Sequence, residues 1–244
     1  MKEWIIGRNP VYEVLRAKRR HAFSLRVSKN AQEKGRLAEI IRQCQQWKLP
    51  IKRVPREQLD SFGHNHQGVA LEVSGYPYQT IHDILARAEE NDEPPFILIL
   101  DTLQDPQNLG TLLRTAEIVG VHGVFLPLKK TATINPTVVG ASSGATEHLF
   151  VVQANLARTI DTLKEHGIWV VGLEGSSEAQ EPSKIRLDGP LALVVGSEGQ
   201  GMRALVRKSC DLLLKLPMRG EIESLNAAIA GSVALYLAWQ ARGF

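Results

Sequence analysis

The segment 212–231 reads LLLKLPMRGEIESLNAAIAG and indicates more about the fold than any other stretch of the chain. Its apolar start predicts a buried strand over 212–216, which Pro217 should end because proline has no N–H to donate to a sheet. The small residues near its end predict a helix over 225–242, with Ser224 in the N-cap position. The loop between them should therefore lie at the carboxyl end of a strand, where α/β proteins bind their ligands.

The chain after Pro95 alternates between strands and helices throughout. The run FILIL at 96–100 is entirely apolar, which is typical of a strand buried on both faces. Further strands are predicted over 123–126, 168–171 and 191–195, and helices over 109–119 and 156–166. This alternation predicts an α/β fold with a mostly parallel sheet covered by helices.

The first third of the chain has a different composition. Residues 1–76 contain 15 Lys and Arg against 7 Asp and Glu, whereas the remaining residues contain 14 against 19. Helices are predicted over 9–17, 31–47, 55–59 and 81–88, and strands over 23–27, 51–54 and 69–73. We therefore predict a small α/β domain over 1–74, a linker over 75–94 and a second domain over 95–244.

The positive charge of the first domain predicts a phosphate backbone as its partner, and the contrast with the rest of the chain favours RNA. The candidate RNA-binding residues are Arg8, Arg16, Lys18, Arg19 and Arg20. Taken alone, the run at 16–20 is equally compatible with the solvated end of a helix.

Composition excludes several other classes of protein. No apolar run approaches the ~18 residues of a membrane span, and no signal-peptide core follows the start of the chain. Cys44 and Cys210 lie far apart without metal-ligand spacing, so we interpret them as buried or inert thiols in a reducing compartment. The seven histidines show no metal spacing either. We expect a cytoplasmic protein without a metal ion.

A second glycine-containing loop, GSEGQGM at 196–202, follows the strand predicted over 191–195. Its G-x-x-G-x-G spacing differs from the G-x-G-x-x-G of dinucleotide-binding folds, and no Lys-Ser/Thr follows as in a P-loop. We favour a loop whose backbone holds a cofactor, with a nucleotide-dependent α/β enzyme as an alternative. Glu198 should lie at a helix N-terminus, where the helix dipole stabilises a carboxylate.

Three segments together resemble the signature motifs of a known family. They are DPQNLGTLLRTA at 105–116, GSEGQGM at 196–202 and LPMRGEIESLN at 216–226, and they resemble the SPOUT methyltransferases of the TrmH (SpoU) branch. Those enzymes methylate ribose 2′-hydroxyls of RNA with S-adenosylmethionine. The residues 6–15 and 66–69 resemble the substrate-binding domain of the same branch. The resemblance covers nearly the whole chain and is closest to the enzymes that methylate a guanosine of bacterial 23S rRNA.

The resemblance implies an L30e-like RNA-binding domain followed by a SPOUT catalytic domain with a C-terminal trefoil knot. It also implies a homodimer formed through the last helix and the helix after the first catalytic-domain strand. The last helix supports a dimer independently, because it is apolar on more than one side. The helix presents Leu225, Ile229, Val233, Leu237 and Trp239, and one stripe of it can cover the sheet. Leu235, Tyr236 and Trp239 on neighbouring faces then remain to be buried. In the alternative, the first domain covers this face within one chain.

The resemblance also assigns the residues of the site. The catalytic residues would be Asn108, Arg114, Glu198, Ser224 and Asn226. The cofactor-binding residues would be Leu173, Gly196, Leu216, Met218 and Leu225, whose backbone groups and apolar side chains would enclose the adenosine and methionine parts of S-adenosylmethionine.

Arg114 would be the central catalytic residue. A methyl sulfonium is already activated, so the enzyme must align the 2′-oxygen and remove its proton. A guanidinium stays protonated up to pH ~12 or beyond, so we expect Arg114 to bind the adjacent phosphate and stabilise the forming alkoxide. That phosphate would accept the proton, and a deprotonated Arg114 acting as base is the alternative. In the alternative that neither residue takes part in catalysis, Arg114 would be a surface residue paired with Glu117, and Asn108 would be a helix N-cap.

The sequence leaves the RNA target open. A methyltransferase acting on a guanosine of 23S rRNA is the interpretation that we favour. A tRNA 2′-O-methyltransferase or an antibiotic-resistance rRNA methylase of the same branch is the first alternative. An RNA-binding protein that has lost catalysis is the second.

Overall fold

The computed structural model describes residues 2–222 and 224–243, and the chain divides into two compact units. The first contains Met1–Pro77 with Ile134–His148, and the second contains Tyr78–Thr133 with Leu149–Phe244. The segment Ile134–His148 lies in the range predicted for the second domain, yet it packs within the first unit. The predicted boundaries at 74 and 95 stay predictions.

The first unit is built on a four-stranded mixed sheet. Its strands are β1 (Lys2–Ile6), β2 (Ala22–Ser28), β3 (Ile51–Val54) and β4 (Val69–Ser74), in the order β1-β4-β2-β3. Strand β4 is antiparallel to β1 and β2, whereas β2 and β3 are parallel. Its helices are α1 (Arg8–Ala17), α2 (Arg36–Gln46) and the short α3 (Arg56–Asp60). The apolar sides of α1 and α2 are buried, as the predicted periodicity requires.

The second half of the chain supplies six more strands, which form one parallel sheet in the order β10-β8-β9-β5-β6-β7. They are β5 (Phe96–Leu100), β6 (Gly123–Pro127), β7 (Val151–Ala154), β8 (Trp169–Leu173), β9 (Leu191–Val195) and β10 (Leu212–Leu214). The helices are α4 (Ile81–Glu90), α5 (Pro106–Ile118), α6 (Pro136–Ala141), α7 (Leu156–Glu165), α8 (Ala204–Ser209) and α9 (Ala227–Ala241), of which α6 belongs to the first unit. The predicted α/β fold with a parallel sheet is confirmed, whereas the trefoil knot stays a prediction.

The two faces of this sheet are covered by different helices. Ile97 and Ile99 of β5 lie in a buried cluster with side chains of α4, α7 and α8. The other face receives α5 and α9, which pack closely because Gly231 has no side chain. A Cβ at Gly231 would lie 3.0 Å from Cδ1 of Leu112 and 3.2 Å from Cγ2 of Val195. Within the described part of the chain, no helix is long and apolar enough to cross a membrane.

Helix α9 turns a different face to the sheet from the one predicted. Its buried side consists of small residues and one leucine, namely Ala227, Ala228, Gly231, Ala234, Leu235 and Ala238. Ile229 and Val233, predicted to cover the sheet, are 49% and 41% exposed. Small residues face the sheet because they allow the close approach to α5, and this leaves the larger apolar side chains on the outside.

The predicted start of the second helix was also wrong. Helix α2 begins at Arg36 and not at residue 31, because Gly35 before it adopts φ +55°, a left-handed conformation outside a helix. Strand β1, which had not been predicted, pairs with β4 along its whole length.

Candidate active site

Asn108, Glu198 and Asn226 come together on the second unit. Asn108 lies in the first turn of α5, Glu198 lies in the loop after β9, and Asn226 directly precedes α9. The side-chain amide nitrogen of Asn226 donates hydrogen bonds to Oδ1 of Asn108, at 3.2 Å, and to Oε1 of Glu198. One amide group therefore joins all three of the segments that stand out in the sequence.

The orientation of the Asn226 amide is fixed by helix α9. Its Oδ1 accepts hydrogen bonds from the backbone N–H groups of Ala228, at 2.9 Å, and Ile229, at 3.1 Å, so Asn226 is the N-cap. Because the oxygen is used by the helix, only the NH₂ group can face Asn108 and Glu198. The prediction of Ser224 as N-cap was wrong, since the helix begins at Ala227, and Ser224 lies exposed in the loop.

The interpretation of Asn108 as an N-cap was wrong as well. Asp105 caps α5, and its carboxylate accepts from the backbone N–H groups of Gln107 at 3.1 Å and Asn108 at 3.2 Å. Asn108 is therefore the third residue of the helix. Its side chain is not used by the cap, which leaves its oxygen for Asn226.

The loop that carries Glu198 is a tight backbone turn. Ser197 and Gly201 exchange two backbone hydrogen bonds of 3.0 Å, and Gly199 and Gly201 have φ values of +78° and +65°. A Cβ on Gly196 would lie 2.2 Å from the carbonyl carbon of Gly201, so only glycine fits there. The next helix, α8, starts only at Ala204, so the predicted place of Glu198 at its N-terminus was wrong. Glu198 instead contacts the N-cap of α9.

A cavity of about 600 Å³ lies beside these residues. Asn108 and Glu198 both line it, together with Thr102 and Gln104 from the loop after β5 and Lys130 from the loop after β6. A cavity of this size is within the range of small-ligand sites, and its position beyond the carboxyl ends of parallel strands is the usual one.

Three of the five predicted cofactor residues, Leu173, Gly196 and Leu216, lie at the carboxyl ends of three neighbouring strands. Leu173 ends β8, and it is in register with Val195 of β9 and Leu214 of β10. Gly196 follows β9 directly and Leu216 follows β10, so both lie at the same edge of the sheet as Leu173. Met218 and Leu225, further along the third segment, are 48% and 46% exposed. Exposed apolar side chains at such an edge provide a surface on which a flat ligand can be buried.

The loop after β8 is anchored by an arginine. Nε of Arg207, on α8, donates to both carboxylate oxygens of Glu174, at 3.0 and 2.8 Å, and its Nη2 donates to Glu178 at 2.8 Å. The hydrogen bond from Arg207 is the main cause that lowers the pKa of Glu174. The ion pairs of Arg207 with Glu174 and Glu178 therefore hold the loop next to Leu173 in place.

Arg114 lies further along α5 than Asn108. It is exposed on α5, six residues after Asn108, which is about 9 Å along the helix axis and roughly two-thirds of a turn around it. Its neighbour one turn further on, Ile118, is 57% exposed.

The predicted RNA-binding residues fall into two groups. Arg8, Arg16 and Lys18 are at least partly exposed. Arg19 is partly buried and donates to the carbonyl oxygens of Pro77 and Glu147. The other basic residue of this run, Arg20, has no exposed side-chain surface.

Arg20 has a structural role in the first unit. Its guanidinium lies 2.9 Å from Glu3 and 2.9 Å from Glu147, and burial raises the pKa of Glu147. Arg20 cannot also contact a phosphate in this arrangement, so the prediction that it binds RNA was wrong.

Two residues directly after β5, Asp101 and Thr102, were not predicted to belong to the site. Asp101 is fully buried and accepts hydrogen bonds of 2.7 Å from both the backbone N–H and Nε of Arg203. Thr102 has φ +62°, a region that costs a β-branched residue about 1–3 kcal/mol and is most often seen at functional sites. An aspartate directly after a fully apolar strand was the available signal. Among residues 2–222 and 224–243, no group of three His, Cys, Asp or Glu could hold a metal ion.

Comparison with known proteins agrees with this geometry. The profile of the SpoU rRNA Methylase family matches residues 95–236, and the profile described as RNA 2′-O ribose methyltransferase substrate binding matches residues 4–79. The chain therefore belongs to the SpoU methylase family and is an RNA 2′-O-ribose methyltransferase of that family.

Two relatives are similar to this chain along nearly its whole length. YacO of Bacillus subtilis (strain 168), assigned to the TrmH family of tRNA/rRNA methyltransferases, is 43% identical over 98% of this chain and 96% of its own length. A Staphylococcus aureus (strain MSSA476) protein assigned to the same family is 39% identical over 98% of this chain and 96% of its own.

Solved structures share the fold. The SpoU methyltransferase AviRb from Streptomyces viridochromogenes, in complex with the cofactor AdoMet, matches with a TM-score of 0.84 and 21% identity, over 99% of this chain and 90% of its own. The AdoMet-bound rRNA methyltransferase from Sinorhizobium meliloti matches with a TM-score of 0.80 and 22% identity, over 98% and 87%.

Proposed function

We propose that this protein transfers the methyl group of S-adenosylmethionine to the 2′-hydroxyl of a guanosine in 23S rRNA. The observation that carries the proposal is the amide of Asn226, which joins Asn108 and Glu198 into one polar cluster beside a cavity of about 600 Å³. Membership of the SpoU rRNA methylase family supports ribosomal RNA as the substrate.

The residues at the edge formed by β8, β9 and β10 fit S-adenosylmethionine. The cofactor has a flat apolar base, which needs apolar walls, and polar edges, which need backbone partners. Leu173, Leu216, Met218 and Leu225 supply the walls, and Gly196 allows the backbone of its loop to come close. The solved structures of AviRb and of the Sinorhizobium meliloti enzyme, which share this fold, contain AdoMet.

The chemical roles follow from charge and position. When bound, S-adenosylmethionine supplies a methyl group that is already activated. Arg114 binds the phosphate next to the reacting ribose and stabilises the negative charge on the 2′-oxygen, since a guanidinium keeps its proton at neutral pH. Asn108 and Glu198, both fixed by Asn226, orient the ribose. The phosphate bound by Arg114 accepts the 2′-hydroxyl proton.

We propose that the protein acts as a homodimer formed through α5 and α9. Ile229, Val233 and Tyr236 form an exposed apolar row on α9, and Tyr236 contacts Trp239 edge to face at 5.8 Å. Such a row in water usually marks a protein interface. Arg114 lies one turn before exposed Ile118 on α5, and we further propose that it completes the active site of the partner subunit.

The first unit is proposed to bind the RNA. Its surface arginines and lysines, which include Arg8, Arg16 and Lys18, carry the positive charge that a phosphate backbone attracts. The protein is proposed to act in the cytoplasm.

A second candidate substrate is tRNA, because the relatives in Bacillus subtilis and Staphylococcus aureus are assigned to a family of tRNA/rRNA methyltransferases. Incubation of the purified protein with S-adenosylmethionine carrying a labelled methyl group and with 23S rRNA or tRNA tests both. We expect label in 2′-O-methylguanosine after digestion of the 23S rRNA. Label in tRNA alone would show that tRNA, and not 23S rRNA, is the substrate. Absence of label in either, with RNA still bound, would favour a protein without catalysis.

A further inference from the structure

We propose that Lys130 and Arg203 form a phosphate-binding site at the cavity, which holds the RNA backbone beside the reacting ribose. This inference rests on the proposed function and adds a binding site to it. Both residues line the cavity of about 600 Å³ that Asn108 and Glu198 also line.

Arg203 is held in place by a buried carboxylate. Asp101, which is fully buried, accepts from the backbone N–H and from Nε of Arg203, both at 2.7 Å. The backbone N–H of Asp101 donates to Val195 at 2.8 Å, so the pair is fixed to the ends of β5 and β9. The Arg203 side chain is 49% exposed. Because one edge of the guanidinium is occupied, the terminal nitrogens are left to donate to a second anion, and a phosphate fits this geometry.

Lys130 is placed by the loop after β6. The carbonyl oxygen of Leu103 accepts two hydrogen bonds of 2.9 Å from this loop, from Oγ1 of Thr131 and from the backbone N–H of Ala132. These bonds tie the loop after β6 to the loop after β5, and Lys130, directly before Thr131, has φ +59°. The anchored loop places Lys130 in the lining of the cavity.

The carboxylates around the cavity are already engaged. Asp105 accepts from two backbone N–H groups of α5, Glu198 accepts from Asn226, and Asp101 accepts from Arg203. The helix N-termini of α5 and α9 also place partial positive charge beside Asp105 and Glu198. Among the described residues that line the cavity, Lys130 and Arg203 are therefore the two cations whose donors can reach an anion.

Three single variants test the proposal. Lys130→Ala and Arg203→Gln each remove one proposed phosphate contact. Lys129→Ala is the matched control, because it removes the same charge at a neighbouring exposed position that does not line the cavity. Binding of a fluorescein-labelled 20-nucleotide RNA of mixed sequence is measured by anisotropy at several salt concentrations, and S-adenosylmethionine binding is measured by calorimetry.

We expect Lys130→Ala and Arg203→Gln to weaken RNA binding by roughly tenfold and to reduce the slope of log affinity against log salt by about 0.7 to 0.9. Lys129→Ala should leave RNA affinity and slope close to wild type, and all three should bind S-adenosylmethionine normally. The inference is wrong if Lys130→Ala behaves like Lys129→Ala. The proposed function fails separately, if the wild-type protein binds RNA but transfers no methyl group.

Asp101 provides an independent test of the way Arg203 is held. Asp101→Asn removes the charge that fixes Arg203, so it should weaken RNA binding in the wild-type background but add little in the Arg203→Gln background. Full additivity of the two changes would show that Asp101 does not act through Arg203. If either variant fails to fold, Lys130→Ala still decides the proposal, because Lys130 lies in an exposed loop.

Discussion

Asn226 has two roles that a single substitution can separate. Its oxygen caps helix α9, and its NH₂ group contacts Asn108 and Glu198. Asn226→Asp keeps an oxygen acceptor for the cap but replaces the donor by a second carboxylate oxygen. Asn226→Ala removes both. We predict that Asn226→Asp impairs catalysis with little effect on folding, whereas Asn226→Ala impairs both.

The expected magnitudes follow from the hydrogen bonds. Asp and Asn are about equally good N-caps, so Asn226→Asp should change the free energy of unfolding by less than about 1 kcal/mol, including exposed repulsion from Glu198. Asn226→Ala should lower it by about 1 kcal/mol through the lost cap. A hydrogen bond to a carboxylate contributes about 1.5–3 kcal/mol, and the exposed site suggests the lower end. Loss of that bond in the transition state corresponds to a decrease in kcat/KM of about tenfold or more.

Urea unfolding and methyl transfer to RNA measure the two effects separately. Asn155 is a matched control, because it caps α7 in the same way, accepting from the backbone N–H of Arg158 at 3.3 Å, and it lies outside the cavity lining. Asn155→Ala should cost similar stability and leave turnover unchanged. An Asn226→Asp protein with wild-type turnover would refute the role given to the NH₂ group.

Three further predictions concern Arg114 and the buried ionisable groups. Arg114→Ala should abolish methyl transfer yet change the affinity for S-adenosylmethionine, measured by calorimetry, by less than about tenfold; near-normal turnover would remove Arg114 from the mechanism. Arg20→Ala should lower the free energy of unfolding by about 3 kcal/mol at pH 8, because it leaves Glu147 buried without its cation. Since burial raises the pKa of Glu147, the loss should shrink as the pH falls through that raised pKa and the carboxyl takes up a proton, and equal losses in urea at pH 5 and pH 8 would contradict this account. Burial raises the pKa of Cys44 and Cys210 to about 12, so neither thiol should react with Ellman's reagent at pH 8 until the protein is unfolded.

The central strands could be predicted from the sequence because their signal is local. The structure gives β5 and β9 the predicted bounds, Phe96–Leu100 and Leu191–Val195, since a strand buried on both faces is apolar at every position. Strand β1, which begins with Lys2 and Glu3, has no such signal and is stabilised by its pairing with β4, about 70 residues away.

The candidate site could likewise be predicted only where its signal is local. The residue types of Asn108, Glu198 and Asn226 stand out as motifs, but only the fold shows that Asn226 joins the other two. The basic run at 16–20 led to the wrong prediction that Arg20 binds RNA. Its partner Glu147 lies 127 residues away, and no local pattern indicates a buried ion pair.

The proposed exchange of Arg114 between subunits allows a test with two impaired proteins. If each active site uses its own Asn226 and the partner's Arg114, a heterodimer of an Arg114→Ala chain and an Asn226→Ala chain contains one site with both residues intact. If each site uses its own Arg114, both sites of the heterodimer lack one residue. Helices α5 and α9 contact each other within one chain through Thr115 and Ser232, whose hydroxyl oxygens are 2.9 Å apart, so the proposed dimer through both helices would include the helix that carries Arg114.

The two variants are co-expressed with different tags, so that dimers exchange during folding, and methyl transfer is measured on the mixture. Random pairing makes half of the dimers mixed, with one intact site in each, so about a quarter of wild-type activity should return. In the matched control, the Arg114→Ala chain is co-expressed with a chain that carries both Arg114→Ala and Asn226→Ala. Because this double variant lacks both residues, it cannot restore an active site. Mixed dimers isolated through both tags but without activity would show that Arg114 serves its own subunit. A protein that sediments as an active monomer at low micromolar concentration would remove the shared site altogether.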